Sequence, residues 1–416
     1  MATNFCYAKR NNIPVYSKEP VKKPGKPSNS LMLGTYMEIL QDSGTYYKVG
    51  AFKKEYWVDK NDTTTINDSL KLYFVDVGQG DGMLIEVGDL KIIVDGGKGK
   101  SLKSFLDKWK YKYLLEEHKK IEIDYLFITH LDEDHFEGLI DILNDPNYIF
   151  KKVYFAGLIK FPKGSTFNLG NTINYQNEIY VTSVIPDIET IANTPGVSNL
   201  ILKFTNAYLS SKARYPSLSS QRLSVDNGIL LNQNLKGINF KIGILGPLLS
   251  DVNHNKYFKW LTDASKTING HSLILKITYG TRTILLGGDL NKEFEQHILN
   301  NHTNLNGFDA EVYKCGHHGS RDFSVDFLKL IKPIATVISS GDNESYDHPS
   351  ALAIGCAGKY SRSSEPLVFS TELARSYNST KFIYGLIFYR TNGTEAYFSQ
   401  MKEKKGSGNP FAIYEL

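Results

Sequence analysis

IDYLFITHLDEDHFEGLIDILND, residues 123–145, joins an apolar run to a helix-like run through a charged heptad. Its first half is an apolar run that stops on Thr129-His130, and FEGLIDILND starts a helix immediately afterwards. A buried strand running straight into a helix is the repeat unit of layered α/β proteins. The join between them, Thr129-His130-Leu131-Asp132-Glu133-Asp134-His135, holds two histidines and three acidic residues. Unpaired charges of that density are too costly for a packed core. A solvated acidic turn opening a helix is the plainer reading, since carboxylates suit a helix N-terminus. Such a turn has no need of two imidazoles, however, and the apolar run ends directly on His130. The mixed nitrogen and oxygen set therefore reads as a metal site. His130 and Asp132, two positions apart, can point the same way in an extended turn. Asp134 and His135 can then serve a neighbouring ion, giving a pair of metals about 3.5–4 Å apart.

On the N-terminal side of this stretch, KLYFVDVGQGDGMLIEVGDLKIIVDGG (71–97) is three apolar runs separated by glycine-rich turns, a meander of strands. SLKSFLDKWKYKYLLEEHKK (101–120) reads as a helix with Leu102, Phe105, Trp109, Tyr113 and Leu114 on one face. On the other side, residues 151–230 are loop-rich at 161–180, with VSNLILKFTNAYLSSKARYPS (197–217) expected as a helix near the surface. Strand patterns return from INFKIGILGP onwards, in HSLILKITYGTRTILLGGD, FDAEVYKCGHHGS and PIATVISSGDNESYDHPS. Polar residues gather at the ends of these strands, where layered α/β proteins place their sites.

Three further clusters lie at such strand ends. Asn269-Gly270-His271-Ser272 offers His271 as a ligand, with Asn269 as an alternative ligand or orienter. Asp289 closes TILLGGD, and Gly287 and Gly288 permit close backbone approach there. It reads as the carboxylate that bridges the two ions, with capping of the helix after it as the competing role. In Cys315-Gly316-His317-His318-Gly319-Ser320 the adjacent histidines point in different directions, so one binds metal while the other meets substrate or donates a proton. His317, nearer the strand end, is favoured slightly as the ligand. Cys315 reads as core, and Ser320 as a helix cap or a holder of a ligand oxygen. His348, in a loop before Pro349, is a candidate for substrate contact or proton donation; Pro349 at the first helical position is the structural alternative.

The chain has 416 residues, of which 41% are hydrophobic and 22% charged, enough for a substantial core and more than one domain. Its 26 tyrosines and 22 phenylalanines fit a strand-rich architecture. A formal net charge of +4 tolerates a polyanion without arguing for one. Three scattered cysteines exclude a disulfide framework. No stretch approaches a membrane span and the N-terminus has no apolar h-region, so the cytoplasm is the expected location. TYMEILQDSGTYYKVGAFKKEYWVDK (35–60) alternates as three strands, with Tyr36, Glu38 and Leu40 on one side and Met37 and Ile39 on the other. Thr63 to Asn67 reads as a polar connector.

Two resemblances attach to these motifs. Gly34, Glu38-Ile39-Leu40, Tyr46-Tyr47-Lys48-Val49 and Tyr56-Trp57-Val58 resemble a bacterial SH3-like domain over about residues 5–60. That implies a small all-β barrel at 1–62, able to recruit a peptide or protein partner or to serve as a structural cap. Val77-Gly78-Gln79-Gly80-Asp81, Asp95-Gly96-Gly97, Thr129 to His135, Gly270-His271-Ser272, Leu286 to Asp289 and His317 to Ser320 resemble the metallo-β-lactamase superfamily. Within it they are similar to the ComEC/Rec2 competence-protein branch. Asp132 stands where many relatives have a second histidine, a variant of that branch, and the loop from Asn343 to Pro349 matches with one extra residue.

The resemblance implies a four-layer αββα sandwich over 71–416, with two divalent ions, Zn or Mn. One would be held by His130, Asp132 and His271, the other by Asp134, His135 and His317, with Asp289 shared and a metal-bridging hydroxide as nucleophile. Catalytic roles fall to Asp134, His318 and His348, and substrate contacts to Ser320, Arg321 and Asn343. Members of the branch look like phosphodiesterases or nucleases, for which Lys152, Lys160, Lys163, Arg282, Lys314 and Arg321 are the basic candidates. Hydrolysis of a small ester, lactone or nucleotide-like substrate is the alternative, and a non-enzymatic binding scaffold a third.

Overall fold

Along the strand Leu70–Val75, Leu70, Leu72 and Phe74 enter one apolar cluster while Tyr73 and Val75 enter another. Side chains alternate across a strand, so a strand apolar on both faces must be covered on both. The computed structural model describes residues 4–20, 25–52, 54–161, 168–341, 346–371, 386–401 and 411–415, and shows what covers them. A nine-stranded sheet runs Ser219–Arg222, Tyr148–Phe155, Ile121–Ile128, Leu90–Gly96, Gly82–Val87, Leu70–Val75, Leu386–Thr391, Ala396–Met401, Phe411–Glu415. A seven-stranded sheet runs Ile229–Leu235, Ile238–Gly246, Ile274–Tyr279, Arg282–Leu286, Val312–Lys314, Ala335–Ile338, Leu367–Ser370. Their inner faces share one core, in which Leu72, Phe74, Ile85 and Val94 join Ile242, Leu275, Ile277 and Val337.

Helices cover both outer faces. Leu139–Asn144 and Asn199–Arg214 pack on the nine-stranded sheet, and Lys292–Asn301 and Val325–Ile331 on the other. The result is an α/β sandwich. Each sheet has a parallel half, and the strands Ile121–Ile128, Arg282–Leu286 and Val312–Lys314 all belong to one. Parallel strands end on the same edge, so their terminal loops come together there.

Two helical expectations change. The segment 101–120 breaks into Ser101–Phe105, a π-turn Leu106–Lys110 and Lys112–Glu116. Tyr111 N donates to Leu106 O at 2.7 Å, and the extra residue in that turn rotates the apolar face. Leu106 and Tyr111 therefore fill the core, while Trp109 and Tyr113 are 43% and 56% exposed. The helix within 197–217 is not superficial. Ser198 caps it by accepting from Ile201 N, and its stripe Ile201, Phe204, Thr205, Tyr208 and Ser211 is buried, a spacing of three and four residues that makes one face.

The N-terminal residues form their own seven-stranded sheet, ordered Asn29–Leu31, Ile13–Tyr16, Lys54–Asp59, Tyr46–Ala51, Tyr36–Asp42, Phe5–Ala8, Thr63–Thr64. Met37 is buried while Tyr36 and Leu40 are exposed, the predicted alternation. Thr63–Thr64, expected as a connector, pairs with Tyr7 and Ala8 and completes the sheet. Arg390 ties this unit to the sandwich: its guanidinium donates to Leu33 O at 2.8 Å and lies over the Phe388 ring. Among the described residues no helix is long and apolar enough to cross a membrane.

Candidate active site

The strand Ile121–Ile128 delivers Thr129 and His130 to the edge where the two sheets' loops meet, and Asp132 opens the short helix Glu133–Phe136 that carries Asp134 and His135. Across from them, Arg282–Leu286 ends in Gly287-Gly288-Asp289. Gly288 has φ +53°, and a Cβ there would lie 2.7 Å from Ser272 Cβ and 2.9 Å from Thr129 Cβ, so only glycine lets this turn close against the first loop. Asp289 is not a helix cap. Asn291 holds that position, accepting from Phe294 N at 3.2 Å, which leaves the Asp289 carboxylate facing inward.

One donor atom each from Asp134, His135, Asp289 and His318 lies within 4.8 Å of the others. His318 Nε2 is 3.1 Å and His135 Nε2 3.3 Å from the Asp289 carboxylate, and His130 Nε2 stands 4.0 Å from it. All three imidazoles are tied back through their other nitrogen. His135 Nδ1 donates to Asp95 Oδ2 at 2.9 Å, and His318 Nδ1 to Ser339 O at 2.9 Å. His130 Nδ1 is 3.2 Å from Thr129 Oγ1 and 3.3 Å from Ser272 Oγ. Those hydroxyls already donate to Asp95 Oδ2 and Asn269 O, so they accept, and the His130 proton sits on Nδ1. Each ring thus presents Nε2 to the centre, buried and without a hydrogen-bond partner. Buried polar atoms are almost always satisfied, so three converging orphan nitrogens beside carboxylates fit a bound cation.

A second group, Asp81, Asp95 and His135, also brings one atom each within 4.8 Å. The two clusters of His and Asp residues are consistent with a di-metal site, but their jobs differ. Asp95 is filled by Thr129 N and Oγ1, both at 2.7 Å, and by His135. Asp81 is ion-paired with the buried Lys314, whose ammonium also donates to Gly288 O at 3.1 Å. This group is the support beneath the first. Asp81 and Asp95 stand in two of the motifs that carried the resemblance, yet neither was given a role in the site from sequence; the signal for Asp95 was a carboxylate beside paired glycines at a buried strand end, as at Asp289.

Charge balance follows this layout. Burial opposes protonation of His135 and His318, yet Asp289 and its neighbouring carboxylates outweigh it, raising His135 well above 6.5 and His318 to about 9. Burial would raise Asp289, but His318 and His135 hold it far below the usual carboxylate range. His130, without such a close partner, is pushed well down by burial and by His135.

Two expected ligands lie elsewhere. His271 is corrected: Nε2 donates to Lys259 O at 2.8 Å and the ring sits edge-on to Phe258 and Phe294, so it is core, at the C-terminus of the helix Ala264–Gly270. The preference for His317 over His318 is also corrected. Both adopt left-handed backbone (φ +46° and +52°), a strained turn that aims His318 at Asp289 and leaves His317 on the wall of the cleft. Asp132 faces Lys160, whose Nζ is 3.3 Å from each of its oxygens. With its amide turned to donate, Asn269 reaches Asp132 Oδ2 at 3.3 Å.

The cleft above the cluster encloses about 830 Å³. Its walls include Lys98, Lys160 and Lys266, the carboxylates Glu133, Asp263 and Asp322, and an apolar side with Leu131, Phe161 and Leu200. His348 lines it, with Nδ1 accepting from Gln79 Nε2 at 3.2 Å; burial, then His318 and His317, lower its pKa to about 4. Ser350 caps the helix Ala351–Lys359, so Pro349 precedes that cap rather than opening the helix. Ser320 Oγ accepts from Asp322 N at 3.2 Å instead of capping the next helix, where Ser324 does so. Neither Ser320 nor the exposed Arg321 is among the residues lining the cleft. Arg282 pairs with Glu311, and Lys152 is exposed on its strand. Asn343 and Lys163 lie outside the described residues.

Residues 75–164 match the profile of the metallo-beta-lactamase superfamily. The chain is 26% identical over 290 residues to ComE operon protein 3 of Bacillus subtilis (strain 168), covering 66% of this chain and 29% of that protein. It is 33% identical over 82 residues to the competence protein ComA of Neisseria gonorrhoeae, covering 20% of this chain and 12% of that protein. The chain thus spans less than a third of the length of either relative. Among solved structures it is similar to the metallo-beta-lactamase fold protein YhfI from Bacillus subtilis, with TM-score 0.35, 11% identity, and coverage of 72% of this chain and 96% of that one.

Proposed function

We propose that this metal-dependent hydrolase of the metallo-β-lactamase superfamily fold cleaves phosphodiesters, with nucleic acid as the preferred substrate class. The observation that carries the reading is the set of three imidazoles tied back at Nδ1 and converging, unpartnered, on Asp289. Asp134, His135, Asp289 and His318 would hold one ion, and His130, Asp132 and Asp289 a second. Carboxylates suit Mn and imidazoles suit Zn, so the mixed set admits either. Bound ions supply Lewis acidity and an activated water nucleophile, the usual provision for phosphoryl chemistry at neutral pH.

The chain's own residues supply the rest. Asp95 and Ser339 hold the His135 and His318 rings in the tautomer that leaves Nε2 free. Because Gln79 donates to His348 Nδ1, the neutral His348 ring carries its proton on Nε2, in the wall of the cleft, where it can donate a hydrogen bond to a phosphoryl or leaving oxygen. The resemblance to the competence-protein branch supports a phosphodiester substrate. A division at 1–62 and 71–416, with the N-terminal unit an SH3-like barrel that recruits a peptide or protein, belongs to the same reading; the alternating burial of Tyr36 to Ile39 supports it.

A second reading is favoured by the cleft itself. Glu133, Asp263 and Asp322 offset Lys98, Lys160 and Lys266, so this is no long basic groove, and its volume suits a nucleotide-sized ester. Incubation with labelled single- and double-stranded DNA and RNA in Mn²⁺ or Zn²⁺ separates the two, and strand cleavage is the result expected. Intact nucleic acid together with turnover of bis-(p-nitrophenyl) phosphate or a lactone would establish the small-substrate reading instead.

A further inference from the structure

We infer that Lys160 is a resident counter-ion of the second cation position, so that the centre loads its two metals unequally. The inference rests on the two-metal reading above and assigns a positioning role to a residue outside the ligand set. The Lys160 ammonium lies 3.3 Å from both oxygens of Asp132, the carboxylate that the two-metal reading gives to the second ion. His130, the imidazole of the same reading, is 2% exposed with Nε2 unpartnered, 4.0 Å from Asp289 Oδ2. The second position therefore has a waiting imidazole and a share of Asp289, but its third donor is already engaged.

The first position differs. Its four donors converge within 4.8 Å, and the nearby lysine, Lys314, cannot leave. Lys314 is fully buried, paired with Asp81 and donating to Gly288 O. The Lys160 side chain is 34% exposed and lines the cleft, so it can swing away from Asp132 without losing solvation. Once displaced, its charge remains in the cleft, available to an anionic ester. Loading of the second ion and the appearance of a substrate-facing cation become one event.

Calorimetric titration of the metal-free full-length chain with Mn²⁺ tests this, with elemental analysis for stoichiometry. Two separated steps are expected in the wild type. Lys160→Gln should tighten the second step roughly fivefold, the size of a partly exposed ion pair, and leave the first unchanged. Lys160→Arg should retain the wild-type pattern, and Lys266→Gln, which removes another charge from the same cleft, should move neither step. A second constant unaltered by Lys160→Gln, or altered equally by Lys266→Gln, overturns the inference while the two-metal reading stands. Uptake of one ion or none by every variant overturns both.

Discussion

Replacing Asp95 with asparagine isolates the support beneath the metal cluster. Asp95 is fully buried and has φ +56°, a left-handed conformation that asparagine tolerates better than other residues, so the backbone has no reason to move. One amide oxygen can still accept from Thr129 N, now at 2.7 Å. The NH₂ group, however, takes the place of the oxygen that accepts from His135 Nδ1 at 2.9 Å, and two donors then face each other. Relief comes when the His135 proton moves to Nε2, which blocks the lone pair aimed at the cation. Loss of an outer carboxylate behind a ligating histidine typically weakens metal binding about 10- to 100-fold, or roughly 1.4–2.7 kcal/mol. Chelator competition with Zn²⁺ or Mn²⁺ measures it, and a thermal melt in EDTA checks that the fold survives. Binding within twofold of the wild type would refute the claim that Asp95 sets the His135 tautomer.

Other perturbations probe the remaining contacts. Asp289→Ala should abolish most bound metal by elemental analysis, because the carboxylate approached by His130, His135 and His318 is gone; retained stoichiometry removes Asp289 from the site. His271→Gln should leave metal content intact. Burial lowers the His271 pKa to about 3 from 6.5, so its contribution to stability is complete above pH 6.5 and falls as pH drops toward 3. The wild type should lose roughly 2 kcal/mol from this group by pH 5, and the variant should show a flatter melting profile between pH 5 and 7. An unchanged profile would discount the burial argument. Gly80→Ala would place a Cβ 2.1 Å from Asp134 O at φ +129°, and should cost on the order of 3 kcal/mol in denaturant unfolding as well as metal affinity. A variant as stable as the wild type would show that the Asp134 loop yields easily.

The fold class was legible because periodicity is a local property. The apolar run ending at Thr129-His130 and the meander from Lys71 to Gly97 each announce their burial through neighbouring residues alone. The helix at 101–120 misled for a related reason: a single π-turn, invisible in hydrophobic spacing, shifted the face by one residue and exchanged Trp109 for Leu106 and Tyr111 in the core. The site was legible where a motif combined unlike chemistries, as in Asp134-His135, and at Asp289, where a carboxylate follows two glycines.

Strand ends and residue types are written along the chain, so a layered α/β architecture and the edge on which histidines and carboxylates collect were readable from it directly. Only the folded chain decided which side chains face one another. His318 rather than His317 points inward because two successive left-handed residues turn the backbone. His271 is spent on Lys259 O, and Asp95, Asp81 and Lys314 hold the floor, through partners tens to hundreds of residues away for Asp95 and Asp81. Side-chain direction depends on contacts distant in sequence, and no local pattern encodes them.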